Sequence, residues 1–405
     1  ANAAVAVSVT PADYGGGPLG GAAFQRELER RAYAAGGGGY RAPAQDIGHF
    51  FMGKAGLDAS RVQPTYARGV TPCDFHELLP GFVSSMLETG LRAFGKKLPG
   101  FDAPGAVLEG RILSRDRDFV TRIELNRGKK RKMTVNGVAA KNAAALSDVL
   151  HTVFFAPEDL FLIRDGAAAR RKFMDLSLCQ LRPRYAEALA EYSRLYEHKT
   201  RILRDSEDFP GLLDTLPEFN HRLIQVGAVL IRYRASFCER LRQYAAQAHA
   251  ECSGGREELS LQYKTVKTVT DPLVDASVVA QQLAEHQQSH YAAEIASRLC
   301  LSGPHKDDIE VLVNGRSARQ FCSQGQVRTA ALSLKLAERE IHKNAMGEYP
   351  VMLLDDVLSE LDPRRQEYVL NRISGGQVFI TCCENDRLDT LLSGRVFHVR
   401  GGEVL

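Results

Sequence analysis

PVMLLDDVLSELD, Pro350 to Asp362, is the stretch on which the reading of this 405-residue sequence turns. Four consecutive apolar residues, Val351 to Leu354, have the length and bulk of a buried strand, and Asp355 and Asp356 close it. In an open parallel sheet, ligands bind beyond the carboxyl ends of the strands. A carboxylate placed there can hold the Mg²⁺ of a nucleotide while its neighbour orients a water. The plainer alternative is an Asp-Asp helix cap after an ordinary strand, and this stretch alone does not separate the two.

A second stretch lies upstream. FCSQGQVRTAALSLKLAE, Phe321 to Glu338, sets Ser323, Gln324, Gly325 and Gln326 directly before a helical apolar pattern. Such residues leave N–H groups at the positive end of a helix, a place suited to a γ-phosphate. Simple capping by Ser323 competes with that reading. About thirty residues separate this element from Asp355, enough for a helix to return to the sheet. With SELD, Ser359 to Asp362, as a D-loop, the order signature, Walker B, D-loop suggests an ABC-type ATPase head.

The flanking chain fits an α/β reading. DFVTRIELN and KMTVNGV alternate apolar and polar residues around RGKKR, as a β-hairpin does, and HTVFFAP reads as a strand. Helical patterns run from Leu160 to about Cys252, with breaks expected at Pro183, Pro210 and Pro217. RLIQVGAVLIRYRASFCERLRQYAAQAHA predicts one long helix, which SVVAQQLAEHQQSHYAAEIASRLC could pair with. After Ser302, the strands DIEVLVNG, YPVMLLDD and QVFITCC alternate with helices, which implies a mostly parallel sheet.

From about Gly110 to Leu405 the chain resembles the RecF family of bacterial DNA replication and repair proteins. FFAPEDLFLIRDGAAARRKFMDL, SLCQLRPRY, GPHKDDIEVLVNG, FCSQGQVRTAALSLKLAE and LLDDVLSELDPRRQEYVL occur in the family's order and spacing. Val327 departs from it, standing where the family has a second Gln. The resemblance implies a partial Rad50/SMC-like ABC-type head with a helical arm: residues 111–169 as the β-rich part of the head, 170–302 as the arm, and 303–405 as an α/β lobe. It implies ATP and Mg²⁺ as cofactors, with Asp355 on Mg²⁺ and Asp356 as the hydrolytic carboxylate. Ser323, Gln324, Gly325, Gln326 and Asp362 would contact a partner's ATP in trans. Phe154 to Asp159 fall where the family places a Q-loop-like turn. It also implies a homodimer or heterodimer on ATP, binding to single-stranded or gapped DNA, RecO/RecR-type mediators as partners, and support of RecA loading in recombinational repair and the SOS response.

Residues 1–110 differ in texture, being rich in Gly, Ala and Pro, with Gly36 to Gly39 unable to sit inside a helix or strand. AAFQRELERRAYAA and FHELLPGFVSSMLETGLRAF predict helices. This portion resembles an interior segment of FAD-dependent dehydrogenase-type proteins, an unrelated α+β fragment. Its GGGPLGG follows no convincing strand, so FAD is not expected. A family-like head would open with a strand, a P-loop and a helix. GLRAFGKK, Gly90 to Lys97, approaches G-x-x-x-x-G-K-[ST] but puts Lys97 at the hydroxyl position, with a helical stretch before it. It reads as the basic end of a helix, and this chain is expected to bind ATP poorly. The junction lies near Leu108 to Leu113. A natural fusion, a gene rearrangement and an assembly artefact all fit it, and the opening on Ala1 fits a fragment or a processed product.

A net charge of +3 confines nucleic-acid affinity to local patches. Arg127, Lys129, Lys130, Arg131 and Lys132 concentrate five cations in the expected hairpin turn, enough for sequence-blind phosphate contacts, although an isolated basic turn is more often simply solvated. Arg170, Arg171 and Lys172 form a second cluster, with structural and nucleotide-proximal roles equally open, and His305 reads as a structural loop histidine. Eight cysteines without a C-x-x-C pair argue against zinc and disulfides and for a cytoplasmic setting, and no apolar run is long enough to span a membrane. Two rival functions are a flavin oxidoreductase carried by the first 110 residues and a non-catalytic DNA- or partner-binding module.

Overall fold

The computed structural model describes residues 9–14, 19–58, 64, 66, 68–97, 105–126, 128–140, 144–147, 149–356, 361–373, 375–382, 394–400 and 403–404. The chain divides into two compact units. The first comprises Ala1–Val107, Glu124–Arg131 and Arg395–Leu405, and the second Leu108–Ile123 and Lys132–Gly394.

In the first unit, helix α1 (Gly20–Ala35) stops where the glycine run begins, with Gly37 and Gly38 at φ 86° and 77°. Two three-residue strands, Ala42–Ala44 and Val70–Pro72, pair in parallel. The helix expected over 75–94 is two helices. Phe75–Leu78 is capped by Asp74, and α2 (Gly81–Lys97) restarts after Pro80, which has no N–H to continue the first. GLRAFGKK lies wholly within α2, and a Cβ placed on Gly90 would meet nothing within 4 Å. The string is therefore helical and not a phosphate loop.

The next four strands form one sheet in chain order: β1 (Gly105–Ser114), β2 (Arg117–Asn126), β3 (Lys132–Val135) and β4 (Val138–Ala139). Left-handed pairs turn two of the corners, Arg115 and Asp116 at φ 50° and 57°, Asn136 and Gly137 at φ 48° and 79°. β2 and β3 are the expected hairpin strands, whereas β1 was not anticipated.

The second unit continues with β5 (Thr152–Phe155), α3 (Ala167–Leu181), α4 (Pro183–Asp205) and the 38-residue α5 (Leu216–Ser253). Pro183 and Pro217 open helices where a break was expected, because a fixed φ and a missing N–H are harmless in the first turn. Then come β6 (Leu259–Lys264), α6 (Ala276–Ser297), β7 (Asp308–Val313), β8 (Arg316–Ser317), α7 (Gln324–Met346), β9 (Val351–Asp355), α8 (Pro363–Arg372) and β10 (Val378–Thr381).

These strands make two sheets. β9 lies between β5 and β10, all parallel, with Leu353 opposite both Phe154 and Phe379. DIEVLVNG does not join it. As β7 it pairs antiparallel with β6, a strand the sequence reading passed over, and turns through Asn314 and Gly315 into β8.

Helix α7 is buried around most of its circumference, from Val327 through Ala330, Leu332 and Leu336 to Ile341, and one cluster joins it to α3, α5, β5, β7 and β9. The α5–α6 pairing has its own cluster, with Ala228 and Ile231 against Val279 and Leu283. Buried charges are paired. Lys199 Nζ donates to Glu294 at 2.6 Å, and Arg234 donates to Asp175, Asp307 and the Pro304 carbonyl, tying α3, α5 and the turn before β7 together.

Candidate nucleotide and nucleic-acid sites

The chain enters α7 through a capping box. Ser323 Oγ accepts from Gln326 N–H at 3.3 Å, and Gln326 Oε1 accepts from Ser323 N–H at 2.9 Å. The capping reading of Ser323 is thus realised. It leaves the amides of Gln324 and Gly325 without a hydrogen bond among the described residues, at the positive end of a 23-residue helix.

Asp362 caps α8, accepting from Arg365 N–H at 3.1 Å, and its carboxylate holds the Arg365 guanidinium at 2.5 Å. Burial opposes ionisation of Asp362, but the Arg365 amide and charge prevail and hold its carboxyl below the usual range. A Cβ on Gly325 would lie 3.7 Å from Arg365 Nη1. Gly325 and Asp362 are therefore brought together around a cation that sequence reasoning missed. The signal was present in DPRRQ, where Arg365 follows the cap by three residues. Gln326 Nε2 also donates to Glu257 at 3.0 Å, and Glu257 faces the buried His249 at 3.2 Å. Burial, only partly offset by Glu257, lowers the pKa of that histidine.

Asp355 ends β9 exposed and accepts from Thr381 Oγ at 2.6 Å. Asp356 is half-buried in the left-handed region, φ 51°, and its N–H reaches Thr381 O at 3.2 Å and Oγ at 3.1 Å. The two carboxylates thus leave the strand end in different settings. Among the described residues no group of three His, Cys, Asp or Glu side chains could hold a metal. A cation on Asp355 would draw its other ligands from phosphate and water, as Mg²⁺ commonly does. Ser359 lies outside the described residues.

The turn after β5 is closed by Asp159, which accepts from Ala156 N–H at 2.9 Å. Asp159 also lies 3.7 Å from Lys335 of α7, whose ammonium pairs with the buried Glu338 at 3.0 Å. Burial raises the pKa of Glu338 despite that partner.

Lys129, Lys130 and Arg131 are exposed between β2 and β3 and Lys132 is exposed at the start of β3, while Arg127 lies outside the described residues. The second cluster does not act as a patch. Arg170 is buried, bound to Asp308 at 2.6 Å and to the Leu162 and Asp165 carbonyls, and Arg171 donates to Asp307 O at 2.7 Å; Lys172 alone faces solvent. His305 packs against Tyr196, donates from Nε2 to Cys300 O at 3.0 Å and accepts from Tyr192 at 2.8 Å. Burial pushes its pKa down to about 4, so it is a neutral structural residue.

The chain is similar to known proteins. Over 299 residues, 73% of this chain and 79% of the relative, it is 36% identical to the DNA replication and repair protein RecF of Lachnoclostridium phytofermentans. Over 332 residues, 80% of this chain and 88% of the relative, it is 36% identical to RecF of Bacillus subtilis. Among solved structures, the recombination mediator protein RecF with ATP, described as part of the RecFOR pathway, matches 75% of this chain and 80% of its own, with TM-score 0.69 and 29% identity. The same mediator with ATPrS matches at TM-score 0.68. Residues 1–113 match a family described as "FAD-dependent protein, C-terminal domain-like".

Proposed function

The chain belongs to the RecF family of DNA replication and repair proteins, with an ABC-type head and a helical arm, and from that premise we propose that it offers the start of α7 to the γ-phosphate of an ATP bound by a partner subunit. The observation that carries the reading is the convergence of the free Gln324 and Gly325 amides with Arg365, itself fixed by Asp362. Helix dipole, amide donors and guanidinium all favour an anion there. Ser323 and Gln326 hold the first turn in shape.

At the end of β9, Asp355 is the residue for Mg²⁺, and the half-buried Asp356 the one to orient the attacking water. The sequence contains no complete G-x-x-x-x-G-K-[ST] string. The chain alone therefore binds ATP weakly, and its nucleotide chemistry belongs to a dimer with another RecF-type chain. Lys129, Lys130, Arg131 and Lys132, with Arg127, contribute phosphate contacts to single-stranded or gapped DNA, and RecO/RecR-type mediators and RecA loading follow from the family. Titration calorimetry with Mg-ATP tests the nucleotide part. No tight binding by the chain alone is expected, and tight binding lost on Asp355→Ala would overturn it. Replacing Lys129, Lys130, Arg131 and Lys132 by Ala should reduce the salt slope of single-strand binding by about 3. An unchanged slope removes the turn from the DNA site.

A further inference from the structure

Helices α3, α5 and α7 leave a cavity of about 190 Å³ where they meet. Its lining falls into two kinds. Leu178, Leu181, Phe237 and Ile341 are buried, and all are apolar. Arg182 and Arg240 are exposed and Tyr233 and Ser236 half-buried, and each of these carries a hydrogen-bond donor. None of the four has a side-chain hydrogen bond or ion pair among the described residues. Glu239, next to Arg240 in the chain, is taken by Arg242 at 2.7 Å. An apolar cavity therefore opens between cations that lack an acidic partner.

We propose that this cavity takes one bulky apolar side chain from an acidic segment of a partner protein, whose flanking carboxylates pair with Arg182 and Arg240. Size sets the first limit. The cavity is smaller than the roughly 300–1,000 Å³ of small-molecule sites, so a single side chain suits it better than a free metabolite. Charge sets the second. A guanidinium takes a carboxylate through two parallel bonds, and an apolar anchor ringed by such pairs is the usual centre of a protein contact. The walls are also shaped in advance. Phe237 meets Phe173 edge-on at 6.1 Å, and Tyr233 meets Tyr185 edge-on at 5.7 Å, so little ordering is left to oppose binding. A nucleobase is the poorer fit. Its edge would carry donors and acceptors in among buried side chains made of carbon alone. The proposal does not rest on a nucleotide at the start of α7.

The test uses the full chain without nucleotide. The probes are short fluorescein-labelled peptides with aspartates on both sides of one Leu, Ile, Met, Phe or Trp, read by anisotropy. At least one should bind saturably. Replacing its apolar residue by Ser should weaken binding by about tenfold or more. Joint Arg182→Glu and Arg240→Glu should weaken the acidic peptide by at least about as much and strengthen a version with lysines in place of the aspartates. Both arginines are exposed, so this variant should keep the native circular dichroism and melting temperature. Binding by none of the peptides, binding indifferent to the loss of the apolar residue, or binding that survives the arginine reversal would overturn the proposal. An oligothymidylate that displaces the peptide, and whose own binding the arginine reversal abolishes, would overturn it too, by giving the cavity to nucleic acid.

Discussion

The start of α7 suits an anion and the end of β9 a cation, and the two are built very differently. The first is closed by a capping box, braced by the Asp362–Arg365 pair and carried on a helix whose core positions are almost fully sealed. The second leaves a sheet on which Phe154 and Phe379 are half exposed and, among the described residues, no strand pairs with the outer edge of β10; there Thr381 holds the Asp355 carboxylate and the Asp356 N–H. A rigid, pre-shaped donor cluster is what a group offered to another subunit requires, since ordering it at the moment of binding would cost affinity.

Substitutions on the two supports should separate sharply. Ala331→Asp puts an unpaired carboxylate at a fully buried position of α7 and should cost about 3–5 kcal/mol, read by denaturant unfolding. Phe379→Ala, at a half-exposed position of β10, should stay within about 0.5 kcal/mol, as surface changes do. Comparable losses would erase the contrast.

Acid tests the sealed region next. Burial pushes the His305 pKa down to about 4 and that of His342, on α7, to about 3, against an ordinary value of 6.5. Between pH 6.5 and 4 the unfolded chain takes up protons that these folded histidines refuse, so the stability present above pH 6.5 is lost as pH falls, by roughly 3 kcal/mol per histidine at pH 4. Asp307 works the other way. Burial, outweighing its Arg234 partner, pushes it up to about 6, so its folded form keeps a proton that the unfolded form has released, and it loses stability as pH rises from 3.8 to 6. Two histidines outweigh one carboxyl, and melting temperature should drop toward pH 4. His305→Gln should remove most of the net drop, because the remaining histidine is then largely offset by Asp307. A smaller effect, about 1 kcal/mol, is expected for Ser323→Ala, which removes the α7 cap.

Much of this was legible in the sequence. The apolar run before Asp355, the 3.6-residue periodicity of α5 and the small-residue entry to α7 are local patterns, and each produced its element within a few residues. The rejection of GLRAFGKK as a P-loop also rested on local signals, a helical stretch before Gly90 and Lys97 in place of the hydroxyl residue. What escaped was non-local. The partner of β7 is chosen by tertiary pairing with β6, across the whole of α6, and no spacing rule discloses it. Arg170 looked like part of a surface cluster until Asp308, 138 residues away, neutralised it inside the protein. Arg365 needed the fold to bring it beside Gly325.

The most direct test mixes this chain with a full-length RecF relative disabled at its own α7-equivalent start but able to bind ATP. If the start of α7 completes a partner's ATP site, the mixture hydrolyses ATP where neither protein does alone, and Arg365→Ala in this chain removes the gain. A stable mixed complex, seen by light scattering, that gains no hydrolysis would contradict the account.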